Sequence, residues 1–267
     1  TSGSFFGAVN VSFIPSTITI NLVVYTIIYG TDLFELLDWT GAGSPTNFMI
    51  SGFSSVAPNA LQDQTTITNV HIGNTVLSID FSAFKGTTNL ISVSFESDSQ
   101  LATIRYSAFS DTTALTSIAI PDTVTAIEEN AFIRSDLTSV TFGANSQLNS
   151  IGAGTFSETT ALTTIAIPDT VTTISNSAFT RSVLISITFG ANSQLTNIGV
   201  AAFYSATNLT SIAIPDLVTT IGINAFYGTT SLNSVTFGAN SQLTTIGEFA
   251  FYQASALTSI TIPNGVT

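Results

Sequence analysis

Cysteine is absent from this 267-residue chain, so no disulfide framework, thiol nucleophile or Cys-based zinc site is possible, and the redox compartment is left open. Positive charge is almost as scarce. Lys85, Arg105, Arg134 and Arg181 face 16 acidic residues, for a formal charge of −12. Four cations cannot form the phosphate-neutralising stripe that nucleic-acid binding requires, and the same deficit disfavours anionic lipid. Only 7% of residues are charged, so solubility rests mainly on Ser, Thr and Asn. Long apolar runs are missing too. The longest, Ile18 to Tyr29, is interrupted by Thr19, Asn21 and Thr26, whereas a spanning helix needs roughly 20 apolar residues. A buried strand is the better reading, and no membrane insertion is expected within this segment. No basic, apolar-cored leader precedes Thr1: either one has been removed or this is a piece of a longer chain.

What the chain does contain is repetition. Its 44% apolar content and positive mean hydropathy fit a well-buried structure, and the apolar residues recur in one pattern. LTTIAIPDTVTTISNSAF at 162–179 is followed by LISITFGANSQLTNIGVAAF at 184–203 and then LTSIAIPDLVTTIGINAF at 209–226. Coils begin at Ile67, Leu90, Leu115, Leu137, Leu162, Leu184, Leu209, Leu232 and Leu257, at intervals of 23, 25, 22, 25, 22, 25, 23 and 25. Short coils turn through IPDT or its equivalent. Long coils turn through FGANSQ, so a bulge is expected on every second coil along one edge. An earlier, degenerate coil uses Phe53, Val56, Ala60 and Leu61.

A period of this length is the signature of a solenoid. One coil buries too little to offset the entropy of ordering it, so coils must stack and share backbone ladders. Alternation in LTSIAI turns Ile118 and Ile120 inward and Ser117 and Ala119 outward. Parallel strands joined by long crossovers are expected to coil right-handedly. The expected architecture is therefore a right-handed, β-rich solenoid: a parallel sheet of stacked 22–25-residue coils, with short turns or helical pieces on the other side. Phe84, Phe109, Phe132, Phe156, Phe179, Phe203, Phe226 and Phe251 recur once per coil and are expected to form a buried spine. Tyr204, Tyr227 and Tyr252 follow three of them and are expected at the surface.

Two segments are assigned. Residues 1–47 depart from the repeat and form either an N-terminal β-rich cap or the end of a preceding domain: two strands around Pro15, then a short helix in TDLFELLDWTG, stopped by Gly41. Residues 48–267 form the solenoid, truncated at its C-terminal end. IPNGV has begun another coil there without its Ala-Phe half, so an open apolar edge and end-to-end self-association are expected.

The motif L-x-x-I-x-I-P-x-x-V-x-x-I-x-x-x-A-F at 115–132, 162–179 and 209–226 resembles the BspA-like class of leucine-rich repeat, over roughly residues 48–267. That class often carries Cys a few residues after the Ala-Phe pair; Ser, Thr or Ala stands in that region here. The resemblance implies a secreted or surface adhesion and recognition protein, with no enzyme activity and no named ligand.

The residues agree on chemistry. His71 is the only histidine, so any Ser-His-Asp relay must use it. Its outward strand position and the lack of a nucleophile elbow nearby indicate a surface histidine. No carboxylate pair is singled out for glycoside cleavage. Asp122, Asp169 and Asp216 recur in the short-coil turns and invite a calcium reading. They belong to alternate coils about 9 to 10 Å apart, too far to share an ion bound at about 2.3 to 2.6 Å. No metal or other cofactor is expected.

The outward sheet face carries the candidate binding residues Ser139, Thr141, Thr164, Ser186, Thr188, Ser211, Ser234 and Thr236, with a second hydroxyl row at Thr172/Thr173, Thr219/Thr220 and Thr244/Thr245. Such a face suits a protein or glycan partner on a surface. Solubility alone also explains Thr on strands, and ice is a third option weakened by the interrupting Ala and Ser. A structural role in a fibre, cell-surface coat or virion is the alternative to adhesion. Asn10 in NVS and Asn208 in NLT match the glycosylation acceptor pattern.

Overall fold

The computed structural model describes residues 47–267 in full and, of the first 46, the backbone of two strands, β1 (Ser16–Ile20) and β2 (Val23–Ile28). The expected helix in TDLFELLDWTG lies outside the described residues. The two strands form an antiparallel pair, and β2 runs parallel to the first strand of the solenoid.

Each of nine described turns contributes one four-residue and one two-residue strand. The four-residue strands are β3 (Asn47–Ile50), β5 (Asn69–Ile72), β7 (Ser92–Phe95), β9 (Ser117–Ile120), β11 (Ser139–Phe142), β13 (Thr164–Ile167), β15 (Ser186–Phe189), β17 (Ser211–Ile214) and β19 (Ser234–Phe237). The even-numbered strands β4 (Ser55–Val56) through β20 (Thr245–Ile246) form an unbroken parallel ladder on a second side. Residues 257–267 continue the path with Leu257, Ile260 and Val266 half-buried against the core, but without an assigned strand.

On the third side, of the two options expected, short turns are what is found, and the described residues contain no helix. Each Ala-Phe segment is a run of overlapping turns, with i to i−3 bonds such as Ala83 N–H to Asp80 O and Lys85 N–H to Ser82 O. Two residues four apart, the first just before the Ala-Phe pair, take left-handed φ, as at Ser107 and Asp111 or Ser177 and Arg181. Alternate N–H groups consequently point sideways, and Ser82, Phe84 and Gly86 donate to Tyr106, Ala108 and Ser110 of the next turn. A helix would need those same groups for itself. The solenoid spends them between turns.

The core is a set of columns. Leu90, Leu115, Leu137, Leu162, Leu184, Leu209 and Leu232 are all fully buried. The Phe spine runs from Phe84 to Phe251 with ring centroids 4.9 to 5.6 Å apart and near-parallel planes. Pure face-to-face stacking is not the preferred geometry for isolated rings. Here the backbone ladder fixes the spacing and the rings follow it.

Three residues after most of these Phe residues, a buried hydroxyl fills the region where the resembling class often has Cys. Thr112, Ser135, Thr159 and Thr229 donate to the carbonyls of Phe109, Phe132, Phe156 and Phe226, at 2.7 to 2.9 Å.

Candidate recognition face

The four-residue strands form the face on which the candidate residues lie, and proline sets its fine structure. Each short-coil strand runs into the following long-coil strand in full register: β9 with β11, β13 with β15, β17 with β19. The reverse joint, long to short, is loose. The face breaks between β7 and β9 and between β11 and β13, and β15 meets β17 only at Ser186 and Ser211.

The chemistry at the strand ends explains this. In the turn after β5, Gly73 donates its N–H to Ile50 of the preceding turn, at 2.7 Å, and the register of β3 with β5 is complete. Pro121, Pro168 and Pro215 occupy the equivalent place in the later short coils and have no N–H to give. The ladder therefore opens towards the end of each long strand. Burial changes with it: Ile120, Ile167 and Ile214 are buried, whereas Phe95, Phe142, Phe189 and Phe237 at the same place in long coils are half-buried.

Grooves lie at three of these joints. One of about 490 Å³ is bounded by residues 189–194, 213–217 and 236–238. A second of about 670 Å³ lies between residues 93–100 and 119–123. A third of about 650 Å³ lies between residues 233–241 and 259–265. The alternating long turn that forms their walls is visible in the sequence. The grooves themselves depend on strands separating in space.

The candidate hydroxyls fall into two sets. Thr164, Ser186, Ser211 and Ser234 are successive register partners and form one continuous row. Thr188 and Thr236 lie in the neighbouring row, where Ala166 and Ala213 alternate with them. Ser139 and Thr141 lie on β11, paired with Ser117 and Ala119 across the break from Thr164. Thr141, Thr164, Thr188, Ser211 and Thr236 are exposed, the other three half-buried. Among the described residues, none of these eight side chains has a hydrogen-bond partner within the chain.

The second row behaves differently. Thr172, Thr219 and Thr244 donate their hydroxyls to carbonyls of Asn149, Thr196 and Thr219 in the preceding turn, at 3.1 to 3.2 Å. Their protons already hold turn to turn, which withdraws the first member of each Thr pair; Thr173, Thr220 and Thr245 make no such bond. Sequence reading could not separate the two rows, because both are Thr-rich.

His71 is half-buried and lies beside Ser94, its register partner, with Nδ1 2.9 Å from the hydroxyl oxygen; Nε2 is 3.9 Å from Glu96. The carboxylate stands beyond hydrogen-bond reach and Ser94 is exposed. This is a hydrogen-bonded surface pair, not a relay whose base is oriented by a third group.

Asp122, Asp169 and Asp216 lie in the turns after Pro121, Pro168 and Pro215. Each turns Oδ1 into the following long coil, where the oxygen is buried without a hydrogen-bond partner. Among the described residues, no three His, Cys, Asp or Glu side chains gather as metal ligands. Arg105, Arg134 and Arg181 pair with Asp80, Asp111 and Glu158. No basic residue lines any of the three grooves. Arg134 grips Asp111 through two nitrogens, at 2.6 and 3.0 Å, and this contact holds the Asp111 carboxyl below its ordinary range.

Tyr204 and Tyr227 stack at 4.9 Å, and Tyr252 tilts against Tyr227 at 5.3 Å. The first two turn their faces to each other, so a flat ligand has little open ring face there.

Stacked parallel turns with a Leu/Ile/Phe core and a regular outward sheet define a leucine-rich-repeat solenoid. The BspA type leucine rich repeat region matches residues 54–186 and 182–267 in six copies, and the chain belongs to that family. Among solved structures, the pneumococcal vaccine antigen PcpA is similar at a TM-score of 0.63 and 22% identity, covering 95% of this chain and 71% of that one. A leucine-rich repeat protein from Bacteroides ovatus gives 0.48 and 19%, covering 97% and 83%. The T. pallidum leucine-rich repeat protein gives 0.42 and 19%, covering 91% and 87%. No curated protein matches the sequence. Among the described residues, no helix is long and apolar enough to cross a membrane.

Proposed function

We propose that this chain is a non-catalytic recognition and adhesion module acting outside the cell, meeting a protein or glycan through the row Thr164, Ser186, Ser211 and Ser234 with Ser139, Thr141, Thr188 and Thr236 beside it. The observation that carries this reading is a face of in-register hydroxyls that make no hydrogen bond of their own within the chain. Thr172, Thr219 and Thr244 donate within the chain, while the eight front-face hydroxyls have no internal partner. A stiff ladder that holds such groups in register loses little conformational entropy when a partner covers it. Membership of a repeat family whose solved relatives include a vaccine antigen supports a surface setting. The net charge of −12 turns the module away from polyanions and anionic lipid.

The test is retention of the purified chain on arrays of extracellular proteins and glycans, comparing wild type with Ser211→Lys and with Thr188→Lys/Thr236→Lys. These positions are exposed, so circular dichroism should be unchanged while retention is lost. Retention equal to wild type in both variants would remove this face from the proposal.

A further inference from the structure

The hydroxyl row leaves the three grooves unexplained, and their chemistry is specific. They lie at long-to-short joints, which come every two coils, about 10 Å at the parallel-strand spacing. The grooves at residues 189–238 and 233–265 are one such unit apart, and the groove at residues 93–123 lies four coils before the nearer of them. In the groove over β17, half-buried Phe189, Pro215 and Phe237 supply the apolar surface above buried Ile214, with Asn192, Gln194, Asp216 and Thr236 around it. No Lys or Arg lines any of the three, whereas Glu96, Asp98, Asp122 and Asp216 do.

From this geometry we infer that the grooves are a serial binding site for an uncharged, β-linked polysaccharide running along the solenoid, one disaccharide to every two coils. The inference rests on the recognition reading and names its ligand class. Two β-1,4-linked pyranose rings span about the same length as two coils, so each groove meets the polymer in the same orientation. An extended peptide fits less well: three residues cover the same distance, but side chains alternate sides every residue, and successive grooves would meet opposite faces. A polyproline-type helix, with a three-residue turn of about 9.3 Å, has a suitable pitch. The rim of amide, carboxylate and hydroxyl would gain no donor from it, because its backbone has no N–H. Those groups suit sugar hydroxyls, and the Phe-Pro floor suits the C–H face of a ring. Acidic residues with no nearby cation exclude sulfated and uronate polymers.

The experiment is calorimetric titration with cellohexaose and chitohexaose, the corresponding disaccharides, and a proline decapeptide as the competing class. One hexaose is expected to bind at least about tenfold more tightly than its disaccharide, because it engages successive grooves. Ala213→Trp, which fills an exposed position on the β17 floor, is expected to weaken that binding more than about fivefold with an unchanged melting curve. Should that variant melt early, the side-chain amide signals of Asn192 and Gln194 in the wild-type NMR spectrum provide the second readout and must shift on hexaose addition. No heat from either hexaose at millimolar concentration, equal affinity for the disaccharide, static amides, or binding of the decapeptide in their place each overturns the inference. Adhesion that persists while the hexaoses fail refutes the polysaccharide site and leaves the hydroxyl row standing. Hexaose binding with adhesion unchanged in the Lys variants does the reverse.

Discussion

Asp169 and Gly190, on successive turns, occupy each other's space: a Cβ on Gly190 would lie 2.0 Å from Oδ1 of Asp169 and 2.8 Å from its Cγ. The same contact recurs between Asp122 and Gly143 and between Asp216 and Gly238. It ties the IPD turn of each short coil to the FGANSQ turn of the next long one. Gly190→Ala should therefore cost on the order of 1 to 3 kcal/mol, and Asp169→Gly in the same chain should return most of it. Denaturation midpoints of the two single variants and the double variant measure the coupling; additive losses would contradict the contact.

Buried hydroxyls after the Phe spine make a second comparison. Ser135 donates to Phe132 O at 2.8 Å, whereas the buried Ser182 hydroxyl has no partner. Ser135→Ala is expected to destabilise by about 1 kcal/mol, and Ser182→Ala by much less or not at all. Urea midpoints measured side by side decide it, and equal losses would refute the assignment.

Ala201 has a left-handed backbone, φ 54°, without the side-chain hydrogen bonding that helps Asn or Asp there. Ala201→Gly relieves the Cβ clash and should stabilise the solenoid by about 1 kcal/mol, after the entropy that glycine adds to the unfolded chain is subtracted. A rise in melting temperature is the expected result.

The Asp111 and Arg134 pair makes a small, signed contribution to pH dependence. Arg134 lowers the Asp111 carboxyl, first by hydrogen bonding, so in the folded state the group holds its charge further into acid than in the unfolded chain. The stabilisation is fully present above the ordinary carboxylate range and is lost as pH falls through the lowered value. The Arg134 side chain is half exposed, so the amount is below about 1 kcal/mol and shrinks in salt. The stability gap between wild type and Arg134→Gln should therefore narrow between pH 7 and pH 2, and a gap that widens would reverse the sign.

Much of this protein was legible from its residues. Leu, Ile and Phe at fixed places in 22- to 25-residue coils dictate stacked turns, because no other arrangement buries them all. The Phe spine and the inward strand positions follow from that register alone. The Ala-Phe segment was less legible: its composition tolerates a helix, and only the lateral bonds between turns decide for a pair of left-handed residues.

The candidate face divides in the same way. Sequence placed the eight outward hydroxyls on strands, since alternation is a local property of the chain. Which hydroxyls are already donating, as Thr172 and Thr219 are, depends on a carbonyl some 23 residues away coming into reach. The proline of each IPD turn was visible from the start. That its missing N–H opens a groove beside Phe95 and Phe189 was decided by the tertiary structure, because a ladder bond belongs to two turns and neither one contains it.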